Sequence, residues 1–152
     1  MSAKNEMDNY LADGGILVLD RYTTSNMGHQ GGKFSTKKER DTYLDWLIQM
    51  EYDINKLPKE DLVIYLNVNR ETAKKLTEKE DDKTYKKSTE KDLAEESMDH
   101  QISSQQMFLY LIEKYPHWKK IECMSNNQLQ TIDDIHKKII KLLNDEKIIS
   151  TS

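Results

Sequence analysis

The chain has 152 residues, a net charge of −4, a pI near 5.6, 36% hydrophobic residues and one cysteine, Cys123. That is the length of one domain with a modest core. The acidic balance argues against a general nucleic-acid binder, and a lone cysteine excludes an intramolecular disulfide and the usual Cys–His metal spacings. There is no signal-peptide run and no stretch approaching the roughly 20 apolar residues that span a bilayer, so no membrane contact and a reducing, cytoplasmic setting are expected.

All five glycines fall between residues 14 and 32. Residues 3–12 read as a helix, with Met7, Tyr10 and Leu11 at helical spacing, stopped by Asp13-Gly14-Gly15. Ile16-Leu17-Val18-Leu19 is a continuous apolar run and predicts a short buried strand of a parallel sheet. Residues 20–35 are polar and glycine-rich, a loop that opens into a short helix. Thr36 and Glu39 form a capping-box pattern, and a helix follows to about residue 54 with Tyr43, Leu44, Leu47, Ile48 and Ile54 as its stripe.

Leu62-Val63-Ile64-Tyr65-Leu66 predicts a second strand. Eighteen of the thirty residues from 70 to 99 are charged, so this segment can bury little surface. Helical spacing returns at Met98, Ile102, Leu109, Ile112 and Tyr115, and Pro116 ends it. Lys120 to Met124 predicts a third strand. Thr131 and Asp134 cap a last helix with Ile132, Ile135, Ile139 and Leu143 inward. Strands alternating with helices predict an α/β fold with a parallel sheet, in which ligands bind beyond the carboxyl ends of the strands.

The densest polar cluster follows the first predicted strand: Asp20, Arg21, Tyr22, Thr23, Thr24, Ser25 and Asn26, then His29, Gln30, Gly31, Gly32 and Lys33. Arg21 offers a donor fork suited to phosphate. Asp20 is a hard oxygen ligand for Mg²⁺ or its bound water. Asn26 and Gln30 each carry a donor and an acceptor, as reading a nucleobase edge requires. Gly28, Gly31 and Gly32 would let backbone approach a ligand. The plainer alternative is a polar loop in which Asp20 and Arg21 pair with each other.

The run ILVLDRYTTSNMGHQGGK resembles the strand and D-R-[YSH] motif of thymidylate kinases, and LPKEDLVIYLNV looks like that family's P-D-L-x-[IFL]-Y-L-D-V strand. The resemblance covers essentially the whole chain, read as one incomplete domain over 1–152 with a lid-like charged segment at about 70–99. It implies a three-layer parallel sheet of the P-loop nucleoside monophosphate kinase type with its N-terminal strands missing. It also implies transfer of the ATP γ-phosphoryl group to dTMP, giving dTDP, with Mg²⁺. By that resemblance Asp20 and Arg21 are catalytic. Arg21 contacts the dTMP phosphate and Asp20 lies near the magnesium. Ser25, Asn26 and Gln30 lie beside the thymine, and His29 falls where some members have a tyrosine near the deoxyribose. Lys79, Lys83, Lys86 and Lys87 stand where the family lid has arginines, although a solvated mixed-charge helix would carry the same run. Asp92 and Glu95 match an acidic pair after the lid.

The chain departs from the family pattern at its lid, which has lysines and no arginine after Arg70, and at further positions. The second strand reads Leu66-Asn67-Val68 where the family has L-D-V, and Ala94 replaces an aromatic residue. No G-x-x-x-x-G-K-[ST] loop occurs in the 152 residues, and every glycine is already assigned elsewhere. The expectation is therefore a C-terminal portion of a thymidylate kinase, inactive on its own. Its partners would be dTMP and ATP, with either a homodimer or a complementing N-terminal P-loop fragment. The alternative is a non-catalytic nucleotide-binding fragment.

Overall fold

The computed structural model describes residues 3–81 and 90–149, with side chains described outside 77–98. The chain divides into two compact units, Met1–Val63 with Thr89–His117, and Ile64–Ser88 with Trp118–Ser152.

The first unit is helical. Helix α1 spans Ala3–Ala12 and ends at Gly14, whose φ of 81° is the left-handed geometry that glycine adopts most easily. The Gly14 N–H donates to the Leu11 carbonyl and the Gly15 N–H to the Tyr10 carbonyl, a Schellman stop. Helix α2 spans Thr23–Gly31, and α3 spans Lys37–Ile48. The Thr36–Glu39 capping box forms as its spacing predicts. Helix α5, Glu90–Lys114, packs along α2. Met27, Leu44, Leu47, Met107 and Leu111 are the buried apolar centre of this unit.

The glycines of α2 make that packing possible. A Cβ on Gly28 would lie 2.1 Å from the Phe108 ring, and one on Gly31 would lie 2.7 Å from Met107 Cε. A Cβ on Gly32 would lie 2.9 Å from the Ser103 backbone. Their bareness therefore admits α5, and the expectation that they clear space for a ligand is corrected. A second tie joins α3 to α5: Tyr110 Oη donates to Asp41 Oδ1 at 2.5 Å, and Lys114 Nζ bonds the same oxygen.

Helix α3 runs into a π-helical segment, Gln49–Ile54. A π turn inserts one residue and rotates everything after it by about 100° relative to the α pattern. Ile54, seven residues after Leu47 and expected on the inner stripe, is thereby 61% exposed. Tyr52 turns inward instead.

Residues 15–19 form no strand. Gly15 and Leu17 are half-buried while Ile16, Val18 and Leu19 are exposed, Val18 at 87%. The segment keeps strand-like alternation but lacks a ladder. A strand needs a neighbouring backbone to satisfy its N–H and C=O groups, and no described residue supplies one.

The second unit holds the parallel sheet, two strands wide among the described residues: β1, Val63–Asn67, beside β2, Trp118–Glu122. The Val63 N–H donates to the His117 carbonyl and the Cys123 N–H to the Asn67 carbonyl, so both strands run the same way. A small hairpin follows, β3 (Met124–Ser125) with β4 (Gln128–Leu129). Its turn residues Asn126 and Asn127 have φ of 48° and 58°, the two positive values that a primed two-residue turn demands. The charged segment begins as helix α4, Arg70–Asp81. Helix α6, Ile132–Asp145, is capped by Thr131, which accepts from the Asp134 N–H. Ile135, Ile139 and Leu143 are half-buried, but Ile132 is 86% exposed because the first turn overhangs the packed face. Trp118, Ile121 and Cys123 are the buried apolar residues here.

These contacts order two substitutions. Gly32→Ala meets backbone that cannot move aside and should cost about 1–3 kcal/mol, the usual range for overpacking. Gly31→Ala meets the flexible end of Met107 and should cost less. Thermal unfolding of the two variants checks the order; equal losses would contradict it.

Candidate functional site

The candidate residues cluster around the start of α2, within the first unit. Tyr22 is the N-cap, in extended conformation, and makes no side-chain cap bond. The Ser25 N–H donates to the Tyr22 carbonyl and closes the first turn. From there the helix has two faces. Thr23, Met27 and Gly31, four residues apart, are buried. Asn26 and Gln30, also four apart, form an exposed stripe beside them, and Ser25 is half-buried. Tyr43 of α3 donates through its hydroxyl to the Asn26 carbonyl at 3.1 Å, which fixes this stretch of α2 without using the Asn26 side chain.

Arg21 has the least expected backbone. Its φ is 68°, left-handed and without glycine's freedom. A non-glycine residue there costs on the order of 1–2 kcal/mol. The other left-handed non-glycine residues have ordinary reasons. Lys56 and Lys147 end helical segments, and Asn126 and Asn127 make the hairpin turn. Arg21 instead precedes a helix. It is exposed and forms no ion pair with any described residue. The paired Asp20–Arg21 alternative is therefore not what the structure shows; both side chains are exposed and neither is bonded to the other.

His29 sits against α5, apart from the exposed stripe. Its ring is edge-on to Phe108 at 5.4 Å and stacked on His100 at 6.0 Å. Its Nδ1 lies 3.3 Å from Ser104 Oγ. Burial lowers the His29 pKa below the ordinary imidazole value, and the positive charges of Arg21 and His100 lower it further.

Asp20 is a single exposed carboxylate. Among the described residues no three His, Cys, Asp or Glu side chains gather as a metal cage. A magnesium at Asp20 fits only as Mg²⁺ is often held, by one carboxylate completed by substrate phosphates and water. Lys83, Lys86 and Lys87 lie outside the described residues, as do the side chains of Lys79, Asp92 and Glu95.

Sequence reasoning missed a hydrogen-bonded group beneath this site. Tyr52 Oη donates to Glu60 Oε2 at 2.6 Å and lies 2.6 Å from the Thr23 hydroxyl. Tyr22 Oη donates to the Pro58 carbonyl at 2.9 Å. His117 Nε2 is 3.8 Å from Glu60. No sequence signal marks Tyr52, because the π segment that turns it inward is invisible to an α-helical pattern.

Among the described residues no helix is long and apolar enough to cross a membrane. No protein-family model, curated protein or solved structure matches the chain.

The depressed His29 pKa has a stability consequence. Between the folded value and the unfolded value near 6.5, the unfolded chain binds the proton and the folded chain does not. Stability is therefore full above about pH 6.5 and falls as pH drops toward the folded value. His29→Asn should flatten the loss of urea midpoint from about pH 7 to about pH 5; an unchanged slope would contradict this.

Proposed function

We propose that these residues form the nucleoside-monophosphate side of a thymidylate kinase-like protein, taking dTMP as acceptor in an ATP- and magnesium-dependent phosphoryl transfer to dTDP. The observation that carries the reading is Arg21: a left-handed, exposed guanidinium at the entrance to α2, with no ion-pair partner among the described residues. Backbone strain of this kind persists where surrounding structure holds it, and it concentrates at functional positions. A guanidinium fork takes a phosphate through two parallel N–H donors, and the α2 N-terminus adds its free N–H groups.

In this reading Arg21 holds the dTMP phosphate and Asp20 receives magnesium through water once phosphates are present. Asn26 and Gln30 offer donor–acceptor pairs to the thymine edge from the exposed stripe, with Ser25 beside them. His29 borders the sugar. When bound, Mg²⁺ neutralises charge on the transferring group. The residues here position the acceptor, which is most of what phosphoryl transfer asks of a protein. The fold in this reading is that of P-loop nucleoside monophosphate kinases. The lysines of the 70–99 segment act as lid charges, and Asp92 and Glu95 follow the lid.

The 152 residues hold no G-x-x-x-x-G-K-[ST] loop. Phosphoryl transfer in this reading therefore requires a phosphate-binding loop from another polypeptide segment, and these residues alone bind dTMP without turning it over. The run Ile16–Leu19, exposed at Ile16, Val18 and Leu19 and without a ladder partner among the described residues, is where such a segment would add as a strand.

Calorimetric titration tests the reading. Wild type should bind dTMP in the micromolar to millimolar range. Arg21→Ala should weaken binding by about 10–100-fold, the worth of a charge-assisted bidentate contact of roughly 1.5–3 kcal/mol. Thymidine, lacking the phosphate, should bind both proteins equally. Absence of dTMP binding to wild type, or equal binding by Arg21→Ala, would overturn the reading.

A further inference from the structure

We infer that Tyr52 is a positioning residue for Arg21: its hydroxyl, clamped between Glu60 and Thr23, pins the first turn of α2 and so holds Arg21 in its left-handed conformation.

The hydrogen positions in this group follow from valence. A tyrosine hydroxyl has one proton, and an ionised carboxylate only accepts. Tyr52 Oη therefore gives its proton to Glu60, and its oxygen accepts from the Thr23 hydroxyl. The chain runs one way, Thr23 to Tyr52 to Glu60. All three side chains are well removed from water: Thr23 is 7% exposed, and the Glu60 side chain 12%. Losing the Tyr52 hydroxyl takes a partner from both Thr23 and Glu60 in a site that water does not replace well. Burial, followed by the bond to Glu60, holds the Tyr52 hydroxyl well above the usual tyrosine range, so it remains a donor at ordinary pH.

The clamp grips the two residues that follow Arg21. Thr23 is held by Tyr52, and Tyr22 is held separately through its hydroxyl on the Pro58 carbonyl. With residues 22 and 23 fixed and the Ser25 N–H closing the turn on the Tyr22 carbonyl, the chain must enter α2 along one path. Arg21 absorbs the change of direction at φ 68°. A cost on the order of 1–2 kcal/mol at that residue needs an external hold of this size. The π segment provides it, since an uninterrupted α-helix would carry Ile54 inward and leave Tyr52 elsewhere. Single π turns recur at functional sites for such re-aiming.

The value of this hold to ligand binding rests on the dTMP reading, but the hold itself does not. The test uses the full chain and nuclear magnetic resonance. The three-bond HN–Hα coupling and the Cα and Cβ shifts of Arg21 report its φ without any ligand. Wild type should give left-handed values. Tyr52→Phe keeps the ring and removes the hydroxyl; Thr23→Val keeps the shape and removes the other partner. Both should move Arg21 toward averaged values while the dispersion of α5 signals is kept. Left-handed values in both variants would overturn the inference, whatever dTMP does. A dTMP titration of wild type, Tyr52→Phe, Arg21→Ala and the double variant then separates the two claims. If both stand, Tyr52→Phe weakens dTMP by about tenfold in the wild-type background and has no effect once Arg21 is alanine. Averaged Arg21 values with dTMP binding that Arg21→Ala does not lower would support the clamp and sink the dTMP reading.

Discussion

The close seam between α2 and α5 is the constraint on which the first unit depends. Gly28, Gly31 and Gly32 present bare backbone to Phe108, Met107 and Ser103, at separations that no side chain could occupy. Helices approach this closely only where one of them gives up its side chains, and the gain is dispersion contact along the whole line. With α5 on the glycine side, and Thr23 and Met27 buried beside it, Asn26 and Gln30 are left facing outward. The orientation of the candidate site is therefore a consequence of packing on the opposite side of the same short helix.

A second constraint acts at the helix entrance. Arg21 is strained, and the strain is held by bonds from the π segment and the stretch after it. Packing fixes which way α2 faces; the tyrosine clamp fixes how the chain arrives. His29 belongs to the first of these. Its ring is spent on Phe108, His100 and Ser104, and its lowered pKa reflects that burial.

The features legible in the sequence are local. Thr36 with Glu39 and Thr131 with Asp134 announce helix starts through hydrogen bonds that close within three residues, and both form. The Gly14 stop is of the same kind, whereas the strand near residues 62–66 forms because residues 117–123 supply its ladder. What the sequence conceals depends on distant partners. Ile16–Leu19 is as apolar as a buried strand, yet β structure requires a neighbour, and none of the described residues provides one. The glycines of α2 look the same in the sequence whether a ligand or a helix fills the space beside them. A π turn changes no residue type, so Ile54 and Tyr52 exchange faces unannounced. Of the candidate site, the sequence marks Arg21, Asn26 and Gln30, while Tyr52 emerges only from the fold.

Packing against α5 leaves the Arg21 end and outer stripe of α2 exposed, as the proposed ligand surface. The most direct measurement is an amide shift map of the 15N-labelled chain titrated with dTMP. Saturable shifts concentrated at residues 20–30 are expected, with the amides of α6 unmoved. Shifts spread along α6, or no saturable shift at any residue of α2, would contradict this.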